Sequence, residues 1–384
     1  MLCLACRAEL QIAHPTQRAN LGARASLPGM ASDAPPQEVR FCRSADGTRI
    51  AFAVHGSGPP LLLTTCWLSH LEFDWESPVW QHFLRDLGRI ATVIRYDERG
   101  FGMSDWDVSD FSLPARVADL AAVIDAAQLD RCAMVGMSQG GPVAITYAIE
   151  NPDRVSRLIL YGTYGTTDHS EEAAELERLF QQMIKVGWQR PDSTFRRVFT
   201  DLMIPGASEE QAGWLDALQA RATSTENAMR SRAARAQADV GALLSHVTMP
   251  TLVVHARGDR MNGFADGREL ASRIPNARLV TLDSDNHITL ADEPAWRVFV
   301  EEVGAFLAGE RVTAPSTPAA LRTLTDRERD VLRLVGQGRD NAEVATELAL
   351  SVRTVERHLT SIYTKLGLTG RSARAAAVAR LLSG

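Results

Sequence analysis

Gly136-Met137-Ser138-Gln139-Gly140 sets a serine between two glycines, directly after an apolar run and ahead of a helical pattern. That context suits a cramped strand-to-helix turn in which the glycines let the chain fold tightly and lift the Ser138 hydroxyl above a sheet edge. Asp259 follows the apolar run 251–255 and His287 follows the run 277–282, so each is expected beyond the carboxyl end of a strand. Together the three make a nucleophile, a base and an orienting acid. His287 would take the proton of Ser138 while Asp259 holds the imidazole and stabilises its charged form, and a carbonyl carbon is attacked. The pentapeptide is common by chance and a lone histidine is more often structural, so the reading rests on the three positions together.

A second constellation lies at the other end of the chain. Thr325-Asp326-Arg327-Glu328 and Asp340-Asn341-Ala342-Glu343 each have the form of a capping box, and Ser351 can cap a third helix that runs to about Leu366 before Gly367 ends it. On that third helix Val355, His358, Leu359, Ile362 and Leu366 fall at core-facing spacing, leaving Arg353, Thr354, Arg357, Ser361 and Lys365 outside. A short helix, a tight turn and an amphipathic helix with a basic outer stripe form a helix-turn-helix that can enter a major groove. A small helical bundle used for protein contact has the same pattern.

The elements that must position these groups are legible between them. Runs at 38–43, 49–54, 60–65, 91–96, 131–135, 157–161, 251–255 and 277–282 read as strands separated by helical patterns, the signature of a mostly parallel sheet covered by helices. Residues 166–245 hold a long helical insertion without strand signals, expected as a lid. The expected organisation is therefore an N-terminal extension over 1–37, an α/β domain over 38–308, a Pro/Ser/Thr/Ala linker over 309–320 and a small all-α domain over 321–384. Met30 is a candidate start of the chain.

The C-terminal residues Leu324-Thr325-Asp326-Arg327-Glu328-Arg329-Asp330-Val331-Leu332, Asn341-Ala342-Glu343-Val344-Ala345, Thr354-Val355-Glu356, His358-Leu359 and Lys365-Leu366-Gly367 closely resemble the LuxR-type helix-turn-helix. The resemblance implies a transcription regulator that binds double-stranded DNA as a homodimer. Arg353, Thr354, Glu356 and Arg357 would approach bases and Lys365 a phosphate. The last helix, 371–382, would pair through Ala375, Ala376, Val378, Ala379 and Leu382. Residues 38–308 resemble α/β-hydrolases in the serine turn, in the chain order of the three catalytic candidates and in Tyr96-Asp97-Glu98-Arg99-Gly100-Phe101-Gly102-Met103-Ser104-Asp105. That resemblance implies the α/β-hydrolase fold with a helical lid, and an oxyanion hole in which Gln139 offers its backbone N–H. The chain departs from the pattern after the third strand, where many members carry His-Gly and this one has Cys66-Trp67-Leu68; Trp67 or Leu68 would supply the second donor. The combined expectation is a regulator whose hydrolase-like domain senses a small molecule, with an esterase or lactonase carrying a regulatory DNA-binding tail as the alternative.

Composition narrows the remaining classes. The chain has 384 residues, 45% of them apolar and 23% charged, proportions that support two packed cores. Residues 321–384 hold 11 of the 41 basic and 7 of the 47 acidic residues, net +4, which leaves net −10 for the remainder and places any polyanion contact at the C-terminal end. No apolar run approaches the roughly 18 residues of a membrane span, so no membrane partner and a cytoplasmic location are expected. Five scattered cysteines suggest no disulfide framework, and the lone Cys3-x-x-Cys6 lacks the second pair that a zinc site needs. His55-Gly56-Ser57-Gly58 is not a full phosphate loop, so no metal and no cofactor are implied. His70, Glu72 and Asp74 read first as solvated loop residues, with lining of a pocket mouth as the alternative, and Trp67, Phe73, Trp75 and Trp80 as either a ligand wall or ordinary core.

Overall fold

Strands whose residues alternate between two apolar faces can be buried on both sides, and such strands form the centre of one eight-stranded sheet. A computed structural model describes residues 37–309 apart from Thr65, together with 324–336, 339–348, 350–366, 368, 373, 374 and 377. Strands β1 (Glu38–Arg43), β2 (Arg49–Gly56), β3 (Pro60–Thr64), β4 (Thr92–Tyr96), β5 (Cys132–Met137), β6 (Val155–Tyr161), β7 (Thr251–Ala256) and β8 (Ala277–Leu282) lie in the order β1-β2-β4-β3-β5-β6-β7-β8. β1 and β2 run antiparallel to their neighbours, and the pairs from β4 to β8 are parallel. The mostly parallel sheet is as expected. The candidate start Met30 and the Cys3-x-x-Cys6 pair lie outside the described residues.

Period-two alternation divides the core into two layers. Ala133, Val135 and Met137 of β5, Ile159 and Tyr161 of β6 and Leu252 and Val254 of β7 face one layer. Cys132 and Met134, Leu158 and Leu160, and Val253 face the other. The first layer includes Leu87 of α2 (Gln81–Gly88) and Phe299 of α10 (Pro294–Ala308); the second includes Leu120 of α3 (Leu113–Ala126), Ile145 of α4 (Gly140–Glu150) and Leu270 of α9 (Phe264–Arg273). A five-residue helix α1 (Leu71–Trp75) precedes α2. The insertion between β6 and β7 consists of α5 (Glu171–Gly187), α6 (Thr194–Met203), α7 (Glu209–Ala222), α8 (Thr225–Arg235) and a 3-10 turn, Gly241–His246. Its apolar residues Ile184, Trp188, Phe199, Met203 and Leu218 join the first layer.

The segment after β4 is held by buried charge rather than by apolar packing. Arg99 grips Asp119 of α3 with two parallel bonds, Nε to Oδ2 at 2.7 Å and Nη2 to Oδ1 at 2.6 Å, and reaches Asp46 in the β1–β2 turn at 2.8 Å. Asp97 accepts the backbone N–H groups of Leu71 and Met103.

The C-terminal unit comprises α11 (Asp326–Gly336), α12 (Asn341–Glu347) and α13 (Val352–Lys365). Both expected capping boxes form: Thr325 N–H donates to Glu328 and Glu328 N–H to Thr325 Oγ1, and Asp340 and Glu343 cap α12 reciprocally. Ser351 caps α13 through Thr354 N–H. Val331, Leu332, Val344, Val355, Leu359 and Ile362 make the core, with His358 half-buried at its edge. Gly367 and most of the proposed pairing helix lie outside the described residues.

Replacing Asp119 by alanine leaves the Arg99 guanidinium buried with only the half-exposed Asp46 opposite it. A loss of about 3 kcal/mol or more is expected, read as a lowered midpoint in urea unfolding followed by tryptophan fluorescence. An unchanged midpoint would show that the pair contributes nothing net.

Candidate active site and candidate DNA interface

The serine turn is strained as its chemistry requires. Ser138 has φ +50°, a left-handed conformation that costs a non-glycine residue of order 1 kcal/mol or more and persists only where the surroundings impose it. They do so here from three sides: Ser138 N–H donates to Tyr161 O, and Ser138 O accepts from Gly141 N–H and from the Thr163 hydroxyl. At Gly136 a Cβ would come within 2.9 Å of the Gly141 backbone, so glycine lets α4 approach β5. Gln139 stands at the N-cap of α4, where backbone N–H groups have no partner within the helix. Its side chain is fixed by Glu98, which accepts from Gln139 Nε2 at 3.0 Å and is paired with Arg116; Arg116 also donates to Gln139 O. The sequence marked the segment containing Glu98 but assigned this residue and Arg116 no task.

Asp259 and His287 meet above the ends of β7 and β8. His287 Nδ1 lies 2.7 Å from Asp259 Oδ2, and both side chains are buried. The other carboxylate oxygen accepts from Met261 N–H at 2.8 Å and Asn262 N–H at 3.1 Å. Gly162, with φ +52°, passes so close that a Cβ would sit 3.2 Å from the imidazole. The loop bearing His287 is held by Tyr161, whose hydroxyl donates to His287 O, and by Met203 at the end of α6, whose carbonyl accepts from His287 N–H at 2.8 Å. His255, also buried, lies 3.6 Å from Asp259 Oδ2 and bonds Asn262 O through the same Nε2.

The Nε2 atom of His287 makes no well-formed hydrogen bond to Ser138 or to any other described group. The Cys66 thiol lies beside the ring. Burial opposes the imidazolium, but the charge and hydrogen bond of Asp259 outweigh it, with a further contribution from Cys66, and hold His287 above its usual range. Burial likewise opposes the Asp259 carboxylate, and His287 draws it below its ordinary value. Both shifts favour the carboxylate–imidazolium form of the pair.

Two cavities meet the loop after β3. Trp67 lines a narrow cleft with Ser138, Gln139, Met203 and two arginines, Arg232 and Arg235. Cys66 and Leu68 instead line an apolar cavity of about 60 Å³ that Trp80, Phe83 and Tyr161 also line. Of the two donors considered for the oxyanion, Trp67 is the one on the serine side. Its indole packs on Trp188 and Phe199 at 5.4 and 5.5 Å, while Phe73 stacks on Trp214 and Trp75 meets His55 edge-on. The reading of Asp74 as a solvated loop residue is corrected: it is buried 3.6 Å from Arg95, and burial pushes its carboxyl up to about 7. His70 caps α1. Among the described residues no group of three or more His, Cys, Asp or Glu side chains is placed to hold a metal, and no helix is long and apolar enough to cross a membrane.

On α13, Arg353, Glu356 and Arg357 are exposed and Thr354 is half-buried. Lys365 is already engaged, donating Nζ to Glu328 Oε2 at 2.7 Å, and Ser361 donates to the other oxygen of the same carboxylate. Both were expected on the outer face; Glu328 draws them toward α11.

Residues 76–294, which contain Ser138, Asp259 and His287, match the family model of serine aminopeptidase, S33, and residues 322–378 match that of the bacterial regulatory proteins, luxR family. The chain belongs to this hydrolase family. Its C-terminal unit is a LuxR-type helix-turn-helix domain. The hydrolase domain is similar to a 2-hydroxy-6-oxononadienedioate/2-hydroxy-6-oxononatrienedioate hydrolase of Cupriavidus pinatubonensis, 28% identical over 63% of this chain and 81% of that one. A 2-hydroxymuconate semialdehyde hydrolase of Pseudomonas sp. is 26% identical over 66% of this chain and 85% of its own length. Among solved structures, a hydrolase from Pseudomonas aeruginosa aligns over 70% of this chain and 98% of its own, with a TM-score of 0.59 and 26% identity. The α/β-hydrolase fold of the domain follows from these matches and from its sheet order.

The shifted values of His287 and Asp259 set a pH dependence. A folded His287 value raised above the usual 6.5 and a folded Asp259 value below the usual 3.8 mean that the ion pair's contribution to stability is complete between these two ordinary values, is lost as pH rises through the folded His287 value, and is lost in acid as Asp259 protonates. The neutral base appears over that same upper range. Labelling of Ser138 by a fluorophosphonate should therefore keep accelerating above pH 8, and Asp259→Asn should slow it by about three to four orders of magnitude while moving the inflection down. A wild-type rate that levels off below pH 7 would contradict this assignment.

Proposed function

We propose that this protein is a LuxR-type transcription regulator that binds double-stranded DNA as a homodimer, and that its hydrolase-like domain senses a small ester-like molecule held over Ser138. The observation that carries the reading is the joining, in one chain, of a family-matched helix-turn-helix with an outward basic face to a domain with a strained serine and a buried Asp–His pair. At about 1.5 Å per residue the 14 residues of α13 extend about 21 Å, enough to cross a major groove. Arg353, Thr354, Glu356 and Arg357 stand at the exposed N-terminal half of that helix and are assigned to base reading. The pairing of Lys365 with Glu328 leaves it a smaller share of phosphate contact than the arginines.

A second reading, an esterase or lactonase with a regulatory DNA-binding tail, is favoured by the Asp259–His287 bond and by relatives that carry hydrolase names. In that reading Ser138 is the nucleophile, His287 the base, Asp259 its orienting partner, and Gln139 and Trp67 the oxyanion donors. The two readings divide on whether the signal is an occupied cleft or an acylated serine. We assign it to occupancy.

Arg357→Ala is expected to weaken specific DNA binding by about 1 to 3 kcal/mol and to relax the preference at one base position, measured by anisotropy titration against an operator and its single-base variants. A loss uniform across sequences would make Arg357 a phosphate contact. The same titration with ligand present tests the signal: Ser138→Ala should retain the ligand response and strengthen it, because ligand is no longer consumed. Loss of the response in a folded variant that still binds ligand would transfer the signal to the acylated state.

A further inference from the structure

Among the described residues, large apolar side chains left in solvent are concentrated on one helix of the insertion. Leu176, Leu179 and Val186 of α5 are 50%, 55% and 53% exposed. Single exposed leucines are ordinary on a protein surface, whereas several on one line mark a contact face. With the half-buried Met183 they follow one another at spacings of three, four and three residues, the seam along which one helix meets another in a coiled coil. This seam is not the face by which α5 holds its own domain. That face carries the buried Ile184 and Gly187, with Phe180 packed against the first core layer.

Four residues further in each direction the seam reaches charge, Glu172 in the first turn of α5 and Arg190 just past its end, both exposed. The Arg190 side chain has only an exposed contact with Asp192 at 3.3 Å, a pair of little worth. All six positions are symmetric about Gln181: Leu179 matches Met183, Leu176 matches Val186 and Glu172 matches Arg190. A second copy laid antiparallel on the first, with the two-fold axis beside Gln181, therefore sets apolar against apolar along the seam and Glu172 of each copy opposite Arg190 of the other. A parallel alignment would bring the exposed Glu171, Glu172 and Glu175 of the two copies together and align the two helix dipoles. Charge thus selects the antiparallel arrangement.

We propose that α5 pairs two copies of this chain in antiparallel fashion through Leu176, Leu179, Met183 and Val186, with Glu172–Arg190 ion pairs closing both ends. Where the proposed function has two copies meet on DNA, this interface belongs to the hydrolase domain and forms without DNA. The apolar seam is about 15 Å long, and four side chains per copy make less than the roughly 800 Å² per partner of a standard interface. The pairing is therefore reversible at micromolar concentrations. On its other side α5 meets the cleft over Ser138: Glu177 lies 3.0 Å from Arg232 Nε, and the Phe180 ring 4.3 Å from the same guanidinium. One helix thus has the cleft on one face and the second copy on another.

The test is sedimentation equilibrium of the full chain without DNA, from about 1 to 200 µM. Wild-type protein should rise from monomer toward dimer over this range, and Leu179→Lys should weaken the pairing about 10-fold or more by placing a charge without a partner in the seam. Leu179 is exposed, so the circular dichroism of the variant should match that of the wild type. Glu172→Arg and Arg190→Glu should each weaken the pairing, and the two together should restore it. Orientation is read by mild oxidation: a mixture of Glu172→Cys and Arg190→Cys chains should form a disulfide-linked dimer above the wild-type level, and neither chain alone should. A monomer at every concentration, a dimer indifferent to Leu179→Lys, no recovery in the charge-swapped double variant, or Glu172→Cys cross-linking to itself overturns the proposal. A chain that is monomeric in solution yet occupies an operator as two copies loses this interface and keeps the regulator reading. A chain that pairs through α5 and binds no DNA keeps the interface and loses that reading.

Discussion

The buried contact between Asp259 and His287 is the constraint to which the rest of the hydrolase domain conforms. Two opposite charges withdrawn from water are costly unless each remaining polar atom is met. Asp259 meets this through the turn after β7, where its second oxygen accepts the N–H groups of Met261 and Asn262. Asn262 then bonds Gly162, and Gly162 has no side chain because the imidazole occupies that space. One pair thus specifies the end of β6, the turn after β7 and the loop after β8. The elbow at Ser138 is held separately, by Tyr161, Thr163 and the Glu98–Arg116 pair behind Gln139, so Ser138 and His287 are placed by two different networks, with Tyr161 in both.

The helical insertion has a direct hold on the base. Met203 closes α6 and accepts the backbone N–H of His287, and Asn286, the preceding residue, accepts from Gly206 just beyond α6. The same insertion supplies Arg232 and Arg235 to the cleft. A ligand that shifts α6 therefore also shifts the histidine loop. Each neutral hydrogen bond of this kind contributes about 0.5 to 1.5 kcal/mol, comparable to the 1 to 3 kcal/mol by which a ligand typically biases a two-state protein. The contacts are strong enough to hold one arrangement and weak enough for a ligand to change it.

Much of this was legible in the residues. β1 and β8 have the limits expected from their apolar runs, because each run is flanked by residues that cannot continue the alternation. The serine turn, the Asp and the His were readable because chain order and strand ends restrict where they can lie. The arginines of the cleft were not. Arg232 and Arg235 belong to a polar helix whose sequence looks like a solvated surface, and only the packing of α8 over the sheet turns them inward. Asp74 was misread for the same reason: its short, polar neighbourhood suggests solvent, and its burial depends on Arg95, a residue that sequence reading had placed simply in a central strand.

In the C-terminal domain one carboxylate has two functions that a local motif cannot reveal. Glu328 closes the capping box of α11 with Thr325, which local spacing predicts, and it also receives Ser361 and Lys365 from α13, which local spacing does not. Burial alone would raise its carboxyl, but Lys365, Ser361 and Thr325 together hold it down at about 2. Its folded value lies below the unfolded one, so this contribution is present above the unfolded value and lost only as pH falls toward about 2. Above that low pH the C-terminal end of α13 is therefore pinned to the first turn of α11. The exposed Arg353 and Arg357 lie toward the opposite, N-terminal end of the same helix, where Ser351 caps the backbone. A helix anchored at one end by a buried acid and left exposed at the other presents its arginines at a fixed angle without committing their charge.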